Sequence, residues 1–298
     1  MSSNIFCFYP AFGQQLSATT FLTSHALANA FQQKSIGYGV STLSFPDIAE
    51  LRSMAFTIWF DTMPAMSHLL LVDSDMGFHP DVVLDMLLLD EPLVGAIYAQ
   101  RRLPQSWAGS GTGNPNVPRR GNFMIVEGVG MGCTLIRRDL ATKMVAEMPD
   151  LIDKRIHLHP ANEMMRAAGA NRLIRAFEKL DIPDRGIVSE DLSFCIRWRQ
   201  LGGEVWASIG HKFSHVGPYD YAGRYLDGVE AAQQQAQLQA VMQAAALHAQ
   251  APVLMLPHNA FVPPAEKPNG AMHASNQAGN GLDVSALPVT EAPSIAAE

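Results

Sequence analysis

Cysteine, charged residues and long apolar runs are all scarce in this chain of 298 residues. Its three cysteines, Cys7, Cys133 and Cys195, are far apart and stand among apolar residues, which predicts packed, reduced thiols and neither a disulfide framework nor a zinc site. No apolar run approaches the roughly 18 uncharged residues that cross a bilayer. The amino terminus also lacks the basic region that begins a secretory signal. These absences predict a cytoplasmic protein without a transmembrane segment.

The net charge of −7 is concentrated toward the carboxyl terminus. From residue 226 onward there are six acidic residues and one lysine, which leaves 22 acidic and 20 basic residues in the nearly neutral remainder. Between residues 101 and 138, Glu127 is the only acidic residue, and the basic residues form three pairs: Arg101 and Arg102, Arg119 and Arg120, Arg137 and Arg138. Such pairs are usually solvated surface. If they converge in space, they favour a ligand that carries phosphate groups.

Helical and strand-like segments alternate along the first 225 residues. Short apolar strands are predicted at 5–9, 38–42 and 68–72, with helices at 17–33, 48–60, 81–89 and 162–179. Alternation of this kind predicts an α/β domain with a mostly parallel, Rossmann-like central sheet flanked by helices. We predict three parts: the α/β domain at 1–228, an Ala/Gln-rich helix at 229–250, and a disordered low-complexity tail at 251–298, whose composition cannot bury enough apolar surface.

Two carboxylates, Asp73 and Asp75, follow directly after the apolar run His68–Val72. They emerge where a buried strand ends, and open α/β sheets bind ligands at the carboxyl ends of their strands. Two acids one residue apart suit Mg²⁺ or Mn²⁺, which keep coordination positions open for phosphate oxygens. The pattern therefore indicates a nucleoside diphosphate as ligand. A turn in which Asp caps the next segment is the alternative.

A second acidic pair, Glu190 and Asp191, stands at the start of a predicted helix. Ser189 is a suitable N-cap, and the glycines at 202 and 203 end the helix. Acidic residues are favourable at the positive end of a helix dipole, so helix electrostatics alone account for the sign of this pair.

Two glycine clusters, 109–113 and 128–132, lack the G-x-G-x-x-G spacing at a strand-to-helix turn. A dinucleotide-binding fingerprint is therefore excluded. The first cluster is interpreted as a loop. The second either allows tight packing or lets the backbone approach a sugar or acceptor.

Three stretches, in order, resemble the family 2-type glycosyltransferases with the GT-A fold: LLLVDSDMGF, GVGMGCTLIRRDL and SEDLSFCIRWRQLGGEVWASIGHKFSHVG. With the first strand they span most of residues 4 to 220. The resemblance implies a GT-A fold and a metal-dependent enzyme. Such an enzyme would move a sugar from a nucleotide-diphosphate donor to an acceptor hydroxyl.

The resemblance also implies roles for particular residues. Asp73 and Asp75 would bind Mn²⁺ or Mg²⁺, His215 would be a further metal ligand, and His211 competes with it for that role. Either histidine is alternatively a structural residue. The residues implied to contact the nucleotide-sugar donor are Arg52, Asp73, Ser74, Asp75 and Glu190. A surface position without any role is the alternative for Arg52.

Asp191 would be the catalytic base of an inverting enzyme, or would position the acceptor if configuration is retained. The acceptor is open among a glycan, a lipid, a protein and a modified DNA base, with the arginine pairs favouring one that carries phosphate. Two other functions are compatible with parts of the pattern: a non-catalytic nucleotide-sugar-binding protein, and a haloacid dehalogenase-type phosphatase. The phosphatase expects Thr or Val where this chain has Gly77. The oligomeric state is not predicted.

Overall fold

The computed structural model describes residues 3–112, 114 and 116–249. The chain divides into two units, Met1–Ala246 and Leu247–Glu298, and the description below concerns the first. The predicted division at 228 and 250 remains a prediction, and the tail predicted at 251–298 lies outside the described residues. Within the described part of the chain, no helix combines the length and apolar character needed to cross a membrane.

Helices and strands alternate over most of the chain. The α-helices are α1 (Ala18–Gln33), α2 (Ile48–Thr62), α3 (Asp81–Leu89), α4 (Arg138–Glu147), α5 (Asn162–Ala167), α6 (Glu190–Gln200) and α7 (Tyr225–Ala249). The strands in the first half are β1 (Asn4–Pro10), β2 (Gly37–Leu43), β3 (His68–Val72), β4 (Met76–Phe78), β5 (Leu93–Ala96), β6 (Tyr98–Ala99), β7 (Trp107–Ser110), β8 (Arg119–Arg120), β9 (Phe123–Val126) and β10 (Gly128–Arg137). The remaining strands are β11 (Ile152–Asp153), β12 (Leu173–Ile174), β13 (Asp181–Ile182), β14 (Gly186–Ile187), β15 (Val205–Ser208), β16 (Phe213–Val216) and β17 (Asp220–Gly223).

Ten strands form the central sheet, in the order β2-β1-β3-β10-β5-β15-β9-β8, with β7 pairing with both β10 and β6. Strand β1 runs parallel to β2 and β3, and β15 runs parallel to β5. In contrast, β10 is antiparallel to β3 and β5, and β9 is antiparallel to β15. A separate sheet contains β17, β16 and β4, all antiparallel.

The α/β class predicted from the sequence is confirmed, but the sheet is mixed and not mostly parallel. Parallel neighbours need a crossover of a dozen or more residues, usually a helix. The described residues between β5 and β10 contain strands and turns but no helix, and only Glu127 separates β9 from β10. Strand β10 therefore enters the sheet in the reverse direction.

The predicted helix at 162–179 is wrong beyond its first turns. Helix α5 ends at Ala167, and Gly169 follows in the left-handed region at φ 86°. The next residues form β12, in which the backbone N–H of Ile174 donates to the Thr57 hydroxyl at 2.8 Å. The N–H of Phe177 donates to the Ser53 hydroxyl in the same way, at 3.2 Å. Hydrogen bonds and apolar burial against α2 thus override the helical pattern of this segment.

Helix α2 is held at both ends. The carboxylate of Asp47 accepts the N–H of Glu50 at 3.0 Å and so caps its start. At its end the Arg138 guanidinium donates to the carbonyls of Trp59, Phe60 and Met63 at 2.9, 2.9 and 2.7 Å. These bonds satisfy carbonyls that the helix leaves free. They fix the helix that carries Arg52.

The second glycine cluster lies in β10, where it allows close packing. A Cβ at Gly130 or Gly132 would lie 2.5 or 2.6 Å from the Tyr98 hydroxyl oxygen. The Tyr98 hydroxyl accepts the N–H of Gly132 at 3.2 Å. The contacts thus favour the packing interpretation. All three cysteines are buried and free, as the sequence predicts.

Candidate active site

The turn Asp73-Ser74-Asp75 is anchored through its backbone. The N–H of Asp73 donates to the Gly132 carbonyl at 3.0 Å, and the Asp75 carbonyl accepts the N–H of Val216 at 2.8 Å. The Ser74 carbonyl accepts an N–H from the start of α1 at 2.8 Å. Because the backbone is fixed by β10, β16 and α1, both carboxylates have defined directions at the carboxyl end of β3.

The second acidic pair lies in the first turn of α6. The Ser189 hydroxyl accepts the N–H of Leu192 at 3.4 Å, as expected for an N-cap. Gly128 lets this helix approach β10, since a Cβ there would lie 2.5 Å from a Leu192 methyl carbon. Close packing of α6 on the sheet therefore brings Glu190 and Asp191 to the edge where the D-x-D turn lies.

Arg52 joins the two acidic pairs. Its Nη1 atom donates to Glu190 Oε1 at 2.8 Å and to Asp191 Oδ1 at 2.5 Å, while Nη2 donates to Asp73 Oδ1 at 2.8 Å. Only 3% of Arg52 is exposed, so the surface alternative for this residue is excluded. Residues more than 100 positions apart in the sequence thus form one ionic cluster around a buried arginine.

Burial and charge act in opposite directions within this cluster. Burial lowers the pKa of Arg52, but the charges of Asp73, Asp191 and Glu190 outweigh it, so the guanidinium remains positively charged. Burial raises the pKa of Asp191, Arg52 lowers it, and Glu190 and Asp73 raise it again, to about 6. The net effect is a pKa for Asp191 above the ordinary value of a carboxyl group.

Asp75 forms a second group with His215 and Arg101. Strand β16 pairs with β4 so that His215 lies opposite Met76, and its Nε2 is 3.5 Å from Asp75 Oδ2. Arg101 Nη1 lies 2.9 Å from the same oxygen. The carbonyl of Ala99 accepts a hydrogen bond from Nδ1 of His215 at 2.9 Å, so Nε2 is the nitrogen directed at Asp75.

These contacts stabilise the charged form of both titratable groups. Burial raises the pKa of Asp75, but the hydrogen bond from His215 and the charges of His215 and Arg101 bring it below its ordinary value. Burial lowers the pKa of His215, but hydrogen bonds to Asp75 and to the Ala99 carbonyl raise it overall. Asp75 is therefore ionised at neutral pH.

His211 lies in a different environment. Its Nδ1 is 2.7 Å from the Ser208 hydroxyl, and its Nε2 is 2.9 Å from Asp85 Oδ2. Although this resembles the order of a Ser-His-Asp triad, Ser208 is fully buried and has no access to a substrate. Both ring nitrogens are thus occupied by structural partners, and of the two histidines it is His215 that lies beside Asp75.

A cleft of about 290 Å³ opens beside Asp73 and Asp75. Its lining combines Arg52, Asp73, Ser74, Asp75, Arg101 and His215 with apolar residues from three places: the end of β1 and the segment after it (Pro10, Phe12), the segment after β2 (Phe45, Pro46) and the start of α2 (Ile48, Leu51). This volume is at the small end of ligand pockets. One side is apolar and aromatic, and the other side carries the charged groups.

The three arginine pairs do not line one groove. Arg101 contacts Asp75, whereas Arg120 contacts Glu91 and stacks over the Trp206 ring, with its central carbon 4.3 Å from the ring centroid. Arg137, the last residue of β10, pairs with Asp90 and Asp139. It lies opposite His68, the first residue of β3. One arginine of each pair is therefore compensated by a nearby carboxylate, and of the six only Arg101 lines the cleft.

Asp75 and His215 are the two side chains at this position that could each supply a ligand to a divalent cation. Among the described residues, no group of three His, Cys, Asp or Glu side chains could hold a metal ion alone. Asp75 Oδ2 and His215 Nε2 are 3.5 Å apart, close to the ~3 Å expected for adjacent ligands of a small divalent ion. Four carboxylates against two guanidinium groups also leave an excess of negative charge. Two side chains would leave the other coordination positions of such a cation to ligands from outside this chain.

Sequence reasoning missed several contributors to this site. The sequence identifies Arg101 only as a member of a pair, and it predicts no role in the site for Tyr98, Phe12 or Phe45. Phe45 had a usable signal, because it stands just after a predicted strand at the ligand-binding edge of the sheet. No such signal marks Tyr98, because its packing depends on glycines of β10, about 30 residues further along the chain.

The sequence matches no protein-family model and no curated protein. Two solved structures are similar in part. A197 from STIV is 15% identical, with a TM-score of 0.41, over 72% of this chain and 86% of that protein. A glycosyltransferase involved in the glycosylation of the major capsid of PBCV-1 is 11% identical, with a TM-score of 0.28, over 55% of this chain. This chain covers 64% of that glycosyltransferase, which is less than two thirds of its length. At such TM-scores neither likeness decides the fold or the function.

Proposed function

We propose that this protein is a metal-dependent glycosyltransferase that uses a nucleotide-diphosphate sugar as donor. The observation that carries the proposal is the meeting of two separate acidic pairs at the carboxyl edge of the sheet, joined by Arg52. The resemblance of the surrounding sequence to family 2-type glycosyltransferases supports the same reading. A purely structural helix cap would account for Glu190 and Asp191, but not for their sharing of Arg52 with Asp73.

The cleft suggests how the donor lies. Its volume of about 290 Å³ suits a nucleoside better than an entire nucleotide sugar. The apolar side, with Phe12 and Phe45, would accept the base and ribose, since aromatic rings stack on bases. The diphosphate would then lie over Asp75 and Arg101, and the sugar would point toward Asp191.

Asp75 and His215, together with Asp73, would hold Mn²⁺ or Mg²⁺ in this arrangement. The bound cation would neutralise negative charge on the diphosphate as it leaves. Arg101 is placed to contact the same phosphates, because its guanidinium already lies 2.9 Å from Asp75 Oδ2 and half of its side chain is exposed. Arg side chains match phosphate oxygens well.

Asp191 would act on the acceptor. Its Oδ1 is bound by Arg52, which leaves Oδ2 to accept the proton of the acceptor hydroxyl. The acceptor oxygen then bonds to the anomeric carbon while the bond from that carbon to the diphosphate breaks. This role applies to an inverting reaction; in a retaining reaction Asp191 would position the acceptor.

The proposal names a class of donor but leaves the class of acceptor open. A glycan, a lipid, a protein and a modified DNA base each supply a suitable hydroxyl. The separation of the arginine pairs removes the support they would give to a polyanionic acceptor.

A donor-hydrolysis assay tests the proposed function. Purified protein is incubated with a panel of nucleotide-diphosphate sugars in Mn²⁺, in Mg²⁺ and in EDTA, and release of nucleoside diphosphate is measured. The proposal predicts release from at least one donor, only with a divalent cation. Release of phosphate from simple monoesters would favour a phosphatase. Metal-dependent binding of a donor without any turnover would favour a non-catalytic binding protein.

A further inference from the structure

Arg52 is shared by three carboxylates, one that follows β3 and two in the first turn of α6. It projects from α2 and contacts Asp73 after β3 and both Glu190 and Asp191 in α6, at 2.5 to 2.8 Å. In each carboxylate a single oxygen is engaged: Oδ1 of Asp73, Oε1 of Glu190 and Oδ1 of Asp191. Since one oxygen of each group is fixed, the direction of the second oxygen is fixed as well.

The guanidinium is directed at these carboxylates more than at the cleft. Three of its N–H groups are used by the carboxylates, and the buried Nε has no hydrogen-bond partner among the described residues. With 4% of its side chain exposed, Arg52 offers little surface to a ligand. A direct donor contact, which the sequence resemblance implies, would depend on the one remaining Nη2 hydrogen.

We propose that Arg52 is a positioning residue, which holds the proton acceptor of Asp191 at a fixed distance and direction from the donor-binding Asp73. This inference rests on the proposed function, which supplies the roles of Asp73 and Asp191. Arg52 connects the donor half of the site with the acceptor half. It therefore affects the chemical step more than donor binding.

The charges around Asp191 agree with this role. Asp73, Glu190 and Arg52 are the charged groups that act on it, and the Tyr98 hydroxyl lies in the same field. Two of these groups are acidic and raise the pKa of Asp191, whereas Arg52 lowers it. Truncating Arg52 would leave three neighbouring carboxylates without their shared cation, and such groups repel one another or take up protons.

A double-mutant cycle tests the proposal. Steady-state kcat and donor KM are measured for Arg52→Gln and Arg52→Lys, each alone and combined with Asp191→Asn. We expect Arg52→Gln to lower kcat by about 10²-fold, the usual scale for a displaced general base, with donor KM changed by less than about threefold. In the Asp191→Asn background, Arg52→Gln should lower kcat by less than about a further threefold. The effects of residues that act as a unit are not additive.

Arg52→Lys keeps a positive charge but offers no fork, so it should recover part of the lost kcat. If Arg52→Gln does not fold, the cycle is completed with Arg52→Lys and the same non-additivity is expected. Arg172→Gln is the matched control. Like Arg52, Arg172 binds a carboxylate, that of Asp61 at 2.8 Å, but it does not line the cleft. Its kcat and KM should equal those of the wild type.

Three outcomes would overturn the proposal. A large rise in donor KM with unchanged kcat would identify Arg52 as a donor contact. Fully additive losses in the double variant would show that Arg52 acts independently of Asp191. Absence of turnover in the wild type with every donor would overturn the proposed function and this role with it, whereas an active wild type with an unaffected Arg52→Gln variant would overturn this role alone.

Discussion

At the scale of single residues, two partly buried carboxylates of the candidate site, Asp75 and Asp191, have pKa values that move in opposite directions. Burial raises the pKa of both Asp75 and Asp191. For Asp75, His215 and Arg101 more than compensate, and its pKa falls. For Asp191, Glu190 and Asp73 oppose the effect of Arg52, and its pKa rises to about 6. Carboxylates whose pKa values differ in this way suit different tasks, one as a cation ligand and one as a base.

The raised pKa of Asp191 predicts the acid limb of the pH profile. The base is active as a carboxylate, so turnover should be highest above pH 6 and fall as the pH decreases through about 6. This is measured as kcat/KM for the donor between about pH 5 and pH 8, which reports the free enzyme. The residual turnover of Asp191→Asn should lack this limb. An identical limb in that variant would assign the titration to another group.

The two histidines provide a matched pair for the metal site. We expect His215→Gln to weaken Mn²⁺-dependent binding of a nucleoside diphosphate by at least about tenfold, since a metal ligand is removed. His211→Gln should leave this affinity unchanged, because His211 contacts Ser208 and Asp85. Isothermal titration calorimetry with and without Mn²⁺ measures both. A larger loss in the His211 variant would reverse the assignment.

Local patterns at this scale reveal residue types but not their partners. The strand end predicted the position of Asp73 and Asp75, and the helix start predicted that of Glu190 and Asp191. The contact between them could not be predicted, because Arg52 is 138 positions from Glu190 in the sequence. Only the packing of α2 and α6 on the sheet brings these residues together.

At the scale of elements, β10 connects the fold with the site. This strand lies beside β3 and β5, accepts the N–H of Asp73 through Gly132, and packs against α6 at Gly128. Its alternate glycines leave room for the Tyr98 ring, whose edge contacts His215 at 5.3 Å between ring centroids. The glycine pattern therefore positions groups on both sides of the cleft.

Added volume in β10 should therefore destabilise the fold. Gly130→Ala would place its Cβ 2.5 Å from the Tyr98 hydroxyl oxygen, and we expect a loss of about 1–3 kcal/mol in the free energy of unfolding, as for other overpacked cores. Urea denaturation measures this loss. Gly111→Ala is the control, since its Cβ would meet no atom within 4 Å. Equal stability of the two variants would show that Tyr98 moves aside without cost.

The sequence predicts single elements better than their arrangement. Strands β1 and β3 and helices α1 and α3 lie within a few residues of their predicted bounds, because short apolar runs and caps are local signals. The direction of β10 and the early end of α5 depend on contacts between distant residues. Those contacts are decided by the core as a whole, and no local pattern records them.

At the scale of the whole molecule, the distribution of charge disfavours nucleic-acid binding. The net charge is −7, and the three arginine pairs are dispersed, with one arginine of each pair bound to an acidic residue. A basic groove needs several cations on one surface. The described residues do not provide one.

We therefore expect no tight binding of unmodified duplex or single-stranded DNA. Fluorescence anisotropy at about 50 and 200 mM salt measures this directly, because a protein that contacts 6–10 phosphates loses roughly 10³ to 10⁵ in affinity over that range. Tight binding at low salt with such a slope would restore a polyanionic acceptor. Weak, salt-insensitive binding would leave the uncharged acceptor classes.

The position of the metal tests the central claim most directly. Crystals grown with Mn²⁺ and a nucleoside diphosphate would be examined by anomalous diffraction at the manganese absorption edge. The account predicts one peak in the cleft, about 2.0–2.3 Å from a carboxylate oxygen of Asp75 and from His215 Nε2, with the diphosphate completing the coordination. A manganese peak elsewhere, or a nucleotide bound away from Asp73 and Asp75, would contradict the account.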